Sequence, residues 1–240
     1  MTLWLFLTAC RAPVPVAEPS SVTEPSSPYE LVVVERGAMA LDAPLPTVVA
    51  LHGLGDAPER FVHSLDGLPG PVRIIAVGAP EPWGDEGHAW WTRRVADGDW
   101  QALGEDVARA ADDLAPLLAS IGQRSDVCGA PVVTGFSQGG MLSFALAGRH
   151  PDTISAAVPV AGTVLEGVAT GPWAPTRALH GTADTRVPYD RTQRAVATLQ
   201  ADGADVTLES FPGVEHSISR DERDRWYSLL AELLPPCPPE

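Results

Sequence analysis

From Tyr29 onward the chain alternates short β-branched runs with longer stretches whose apolar residues recur at helical spacing. Residues 31–35 (LVVVE), 47–51 (TVVAL) and 72–77 (VRIIAV) each read as a strand closed by turn residues. Over 101–121, Leu103, Val107, Ala110, Leu114, Leu117, Leu118 and Ile121 mark one face of a helix, in which Pro116 is expected to produce a kink or a break. Further strands are expected at 131–136, 154–160, 177–179 and 206–211, with helices at 138–148, 189–201 and 219–234. Strands that alternate with helices imply an α/β domain over 29–235, a doubly wound and mainly parallel sheet with helices on both faces. Such sheets place their ligand sites beyond the carboxyl ends of the strands.

One strand–helix junction carries chemistry. Gly135-Phe136-Ser137-Gln138-Gly139 is a GxSxG between the run at 131–136 and the helix after it. In that context the serine sits on a sharp turn that projects its hydroxyl above the sheet. The glycines are needed where strand and helix nearly touch, and the helix N-terminus offers free N–H groups to a developing oxyanion. A serine hydroxyl is a poor nucleophile unless a base takes its proton, and the base must be held in one tautomer. In this arrangement an acid and then a histidine follow the serine, each in a loop after a later strand. Asp184, in HGTADTRVP at 180–188, and His216, in FPGVEH at 211–216, occupy those places. Ser137, Asp184 and His216 are therefore the candidate nucleophile, orienting acid and base.

The other histidines, His52, His63, His88, His150 and His180, read as structural or surface residues, with His180 shaping the turn that presents Asp184. Asp190 falls beyond Pro188 in the next helix, and Glu215 is too close to His216 in sequence to align with it easily. Gln138, next after the serine, supplies one backbone oxyanion donor, and Leu54 in HGLGD at 52–56 is assigned as the second.

HGLGD at 52–56, GFSQGG at 135–140, HGTADTRVP at 180–188 and GVEHS at 213–217 together resemble the phospholipase/carboxylesterase family that includes the acyl-protein thioesterases. The resemblance runs from about Val48 to Leu234. It implies an α/β-hydrolase fold with little or no cap domain, hydrolysis of carboxylic or thio esters without a cofactor, and Ser137, Asp184 and His216 as the triad. Family members usually carry a single aromatic in the loop after the third major strand. Here that loop holds Trp83, Trp90 and Trp91, which are assigned to an acyl or aryl pocket beside Ser137, simple packing over the sheet edge being the alternative for Trp90 or Trp91. The rival functions are a serine peptidase on the same fold and a ligand-binding protein without catalysis.

With 16 Lys plus Arg against 31 Asp plus Glu, a formal net charge of −15 repels phosphate backbones and argues against nucleic acid as a partner. No CxxC or HExxH spacing supports a metal site. The expected substrate is a small-molecule or lipid ester. Residues 2–9 (TLWLFLTA) form an apolar run ending at Cys10, and the Pro-, Ser- and Glu-rich stretch behind it reads as a flexible tether over 10–28. Leu7-Thr8-Ala9-Cys10 resembles a bacterial lipobox, which makes 1–9 a signal segment and Cys10 a lipid anchor to a membrane facing an extracytoplasmic space. The basic start of a secretory signal is missing, and a short apolar N-terminus of a cytoplasmic protein is the alternative. With export, Cys128 and Cys237 would face an oxidising compartment. Cys128 precedes the strand that leads to Ser137, and the last helix runs away from His216 toward Cys237 and the tail at 236–240. Both cysteines are thus expected at the face opposite the active site, in reach of a disulfide.

Overall fold

The computed structural model describes residues 20–22, 28–37, 43–168 and 171–237. Ten strands are present among them: β1 (Ser20–Val22), β2 (Leu31–Arg36), β3 (Thr47–Leu51), β4 (Val72–Val77), β5 (Glu81–Trp83), β6 (Gly87–Ala89), β7 (Val132–Phe136), β8 (Ala156–Val160), β9 (Thr176–Gly181) and β10 (Val206–Phe211). The helices are α1 (Pro58–Phe61), α2 (Trp100–Gly122), α3 (Gln138–Arg149), α4 (Tyr189–Ala201) and α5 (Arg220–Leu233). Eight strands form one sheet in the order β1-β2-β4-β3-β7-β8-β9-β10. From β4 to β10 neighbouring strands are parallel, while β1 and β2 join the edge antiparallel.

Why helices cover both faces is visible in β3. All five of its residues are buried, and alternate side chains serve opposite layers. Val49 and Leu51 join a core with Leu103, Val107 and Leu114 of α2 and Met141, Leu142 and Leu146 of α3. Val48 and Ala50 join one with Phe61 of α1 and Trp226, Leu229 and Leu230 of α5. Trp226 is fully buried, and its indole N–H donates to Thr134 Oγ1 at 2.8 Å, which pins α5 to β7. The chain leaves β3 toward β4 on one side and returns to β7 on the other. That reversal opens a crevice at the carboxyl ends of β3 and β7, where the loops carrying Leu54 and Ser137 begin.

Three features differ from the sequence expectation. Pro116 neither ends nor splits α2: it removes only a bond to the Asp112 carbonyl, and both residues face solvent, where water can take the bond's place. Ser20–Val22, inside the stretch expected to be a tether, pairs with Leu31–Val33 of β2. An open sheet edge presents unpaired N–H and C=O groups, and these three residues lie in a proline-free stretch between Pro19 and Pro25. The tryptophan-bearing loop is built as a hairpin, β5 paired with β6, held to the HGLGD loop by hydrogen bonds from Gly55 N–H to His88 O and from His88 N–H to Asp56 O.

At the opposite end of the sheet, Cys128 and Cys237 are joined, with Cα atoms 4.9 Å apart at a sequence separation of 109. Cys128 is buried, and its N–H donates to the Leu45 carbonyl just before β3. The bond therefore ties the stretch after α5 to the base of the central strands. The signal segment and Cys10 lie outside the described residues.

Candidate active site

Ser137 occupies the turn between β7 and α3 at φ 57° and ψ −111°, a left-handed conformation that L residues rarely adopt. The turn is so tight that a Cβ on Gly139 would collide with the Leu51 carbonyl, and one on Gly135 with the backbone of Gly139. The Ser137 N–H is held by the Val160 carbonyl at 3.0 Å. Strained backbone of this kind persists when its surroundings over-determine it, and here it aims the hydroxyl out of the sheet.

His216 reaches that hydroxyl from the loop after β10. Its Nε2 lies 2.9 Å from Ser137 Oγ and its Nδ1 2.7 Å from Asp184 Oδ2. Since the carboxylate only accepts, Nδ1–H donates to Asp184 and Nε2 presents its lone pair to the serine O–H. Phe136 packs against the imidazole, with ring centroids 4.9 Å apart. Asp184 is itself fixed on its other oxygen, where the Arg186 and Val187 N–H groups both donate to Oδ1 at 2.9 Å. Its side chain is fully buried. Burial alone would raise the Asp184 carboxyl, but hydrogen bonds from His180, His216 and the Val187 N–H outweigh it and hold the group well below the usual carboxylate range. Asp184 is thus ionised whenever His216 has to carry a proton.

Among the described residues, no other histidine hydrogen-bonds to Ser137. His52 donates from Nδ1 to the Gly53 carbonyl and accepts the Ala79 N–H at Nε2, so it is neutral, and burial pushes its pKa down. His63 and His150 pair with Asp66 and Asp112 at the surface. His180 contacts Asp184 directly, its Nε2 3.2 Å from Oδ2. Asp190 and Glu215 are exposed.

The sequence profile of the phospholipase/carboxylesterase family matches residues 34–233. The chain belongs to this family. Acyl-protein thioesterase 1 of Gibberella zeae is 26% identical over 215 residues, covering 79% of this chain and 91% of that protein. NocK of Nocardia uniformis subsp. tsuyamanensis is 29% identical over 204 residues, 79% of this chain, which spans 56% of NocK's length. Among solved structures, that of esterase PE8 superposes with a TM-score of 0.71 at 23% identity, covering 84% of this chain and 97% of that one. The Bacillus cereus carboxylesterase gives 0.67 at 17%, with 86% and 95% covered. Identities this low show a shared α/β-hydrolase fold.

In this family member a cleft of about 740 Å³ opens at Ser137 and His216. Leu54, Trp91, Val95, Trp100, Leu103 and Met141 give it apolar walls, and Arg93, Arg94 and Arg186 also line it. Of the three tryptophans expected there, only Trp91 does. Trp90 is buried against Tyr29 and His52, donates its indole N–H to the His52 carbonyl at 2.9 Å, and borders a separate 280 Å³ pocket. Trp83, on the β5–β6 hairpin, sits over Gly55 outside the cleft. Both brace the HGLGD loop rather than face the serine.

Leu54 and Gln138 line the same cleft as Ser137. Gln138 opens α3, so its N–H has no intrahelical acceptor. The Leu54 N–H donates to no backbone carbonyl among the described residues. The side chain of Gln138 has a role not foreseen from sequence. Its Oε1 accepts the Trp90 N–H at 3.1 Å and its Nε2 donates to the Trp91 carbonyl at 2.8 Å. An amide that donates and accepts at once can grip a peptide from both sides, and this one locks the tryptophan loop to the start of α3.

Proposed function

We propose that this protein is a serine carboxylesterase that hydrolyses carboxylic esters, with thioesters as alternative substrates, through an acyl-enzyme on Ser137. The hydrogen-bonded chain Ser137–His216–Asp184, at 2.9 and 2.7 Å and opening into an apolar cleft, carries this reading. Ser137 Oγ attacks the carbonyl carbon as its proton passes to His216 Nε2, and Asp184 stabilises the imidazolium. The carbonyl oxygen, now an anion, accepts hydrogen bonds from the Leu54 and Gln138 N–H groups. Collapse expels the alcohol or thiol, which takes the proton from His216. Water then attacks the acyl-serine by the same route and releases the acid. Every proton is handled by these side chains, so the route calls for no cofactor.

The apolar walls favour an aliphatic or aryl acyl group, and the three arginines disfavour a cationic one. The test is labelling with a fluorophosphonate probe beside turnover of p-nitrophenyl esters of increasing chain length and of peptide anilides. Adduct on Ser137 with ester turnover well above anilide turnover is expected. Adduct with anilides preferred would establish the peptidase reading, and no adduct with no turnover would establish a ligand-binding role.

The same reading places the enzyme at a membrane facing an extracytoplasmic space, held by lipid on Cys10. Its support is the apolar run ahead of Leu7-Thr8-Ala9-Cys10 and the Pro-rich stretch behind it. One acyl chain binds a bilayer only marginally, so stable anchoring takes the several chains that a lipoprotein carries. When the full-length gene is expressed in a bacterium, the protein is expected in the detergent phase on Triton X-114 partitioning and its Cys10→Ala variant in the aqueous phase. Aqueous partitioning of both would exclude lipidation.

A further inference from the structure

Behind the Ser137–His216–Asp184 chain lie buried polar atoms that the proposed acyl transfer does not use. His180, near the end of β9, is fully buried. Its Nε2 faces two acceptors, the Val187 carbonyl at 3.0 Å and Asp184 Oδ2 at 3.2 Å, so Nε2 carries a hydrogen. Its Nδ1 is buried and meets no hydrogen-bond partner. Glu222, in the first turn of α5, is also fully buried. Its Oε2 accepts the Ser219 N–H at 3.4 Å in the capping box of that helix, and its Oε1 is buried without a partner.

The two orphaned atoms are chemically complementary. With its hydrogen on Nε2, a neutral imidazole offers only a lone pair at Nδ1 and needs a donor. A carboxylate has no hydrogen to give, whereas a carboxylic acid has one. The reverse assignment, imidazolium with carboxylate, satisfies both atoms equally and holds the same single proton. We propose that Glu222 and His180 share one proton through a buried water, and that the pair is a positioning device keeping the His180 Nε2–H aimed at Asp184.

The surroundings favour this state. Helix α5 packs on β8, whose side chains do not ionise, and on β9, which brings His180. Arg177 at the other end of β9 pairs with Asp205, and Arg225 of α5 with Glu209 and Glu232. The ionisable groups that act on Glu222 are His180 and Asp184. Burial moves its carboxyl up to about 7, the negative charge of Asp184 adds to the rise, and the Ser219 N–H and His180 oppose it. Once the proton is lost, a second buried anion faces both the bare Nδ1 and Asp184. His180 is then held at Nε2 alone, and the hydrogen bond that it gives Asp184 under His216 is weakened.

The inference rests on the acyl-transfer reading of the site, and its test separates the two. Glu222→Gln keeps a neutral donor and the cap, whereas Glu222→Leu keeps neither. Glu222→Gln is expected within about threefold of the parent in kcat at pH 7 and should lack the parent's decline in kcat above that pH. Glu222→Leu is expected to lose about tenfold or more in kcat with KM nearly unchanged. ¹⁵N-imidazole NMR of the unreacted parent should show His180 protonated at Nε2 with Nδ1 hydrogen-bonded, a readout that needs no activity and no variant. A free Nδ1 in that spectrum, or a Glu222→Leu enzyme with parental kcat and pH profile, would overturn the pairing. Undiminished turnover in Ser137→Ala would instead overturn the acyl-transfer reading and leave the NMR result standing.

Discussion

Ser137→Ala is expected to leave a folded protein whose ester turnover has dropped by at least ~10³-fold. The size follows from what the substitution removes. Alanine has no oxygen to attack the carbonyl, so the acyl-enzyme route closes and only substrate binding and the oxyanion donors remain. Removing a triad member leaves a residual ~10³–10⁴-fold rate over water from those sources. The fold should tolerate the change, because alanine keeps the Cβ that already sits at φ 57° and removes no buried partner other than His216. Circular dichroism and thermal unfolding of the variant check the fold, and p-nitrophenyl ester hydrolysis checks the rate. Near-parental turnover in pure variant protein would refute Ser137 as the nucleophile.

The second large effect concerns stability. Cys128 and Cys237 close a loop with a sequence separation of 109 residues. On the chain-entropy account, a cross-link over a loop of that length constrains the unfolded chain by about 4–5 kcal/mol, and removal of a native bridge typically costs ~2–5 kcal/mol. Cys237→Ser is expected to lower the unfolding free energy by an amount in that range while ester turnover changes little, since the bond lies at the end of the sheet away from Ser137. Urea unfolding of the oxidised protein, the reduced protein and the variant measures it. Coincident midpoints for all three would show that the bond contributes nothing.

The triad candidates were legible in the sequence because each depends on a local rule. A GxSxG between a β-branched run and a helix has few geometries open to it, and loops after later strands are the places from which an acid and a base can reach the same point. The strands at 47–51 and 206–211 were equally plain, since β-branched residues there end in turn formers. What remained hidden depends on contacts between segments distant in sequence. Nothing near Gln138 reveals that its amide grips a peptide 47 or 48 residues earlier. The tryptophan loop shows the same limit, for all three side chains carry the same apolar signal. Of the three, only Trp91 lines the cleft that holds Ser137, because the indole of Trp90 is drawn to the His52 carbonyl and Trp83 is carried off on the hairpin. Pro116 does not end the helix because the cost of an interior proline depends on which way the orphaned carbonyl faces. Glu222 reads in sequence as an ordinary helix cap, and only its burial shows that it is cut off from bulk solvent.

The grip of Gln138 on the tryptophan loop bears on how this enzyme could be redesigned. The loop that shapes one wall of the cleft and the turn that carries Ser137 are fastened together by two hydrogen bonds. Exchanges at Trp91, Val95, Trp100 or Leu103 are expected to alter the outline of the cleft while the two hydrogen bonds of Gln138 remain. A library confined to those four sites would explore chain-length preference on a constant catalytic chassis, whereas one that includes Gln138 would scramble selectivity and rate together.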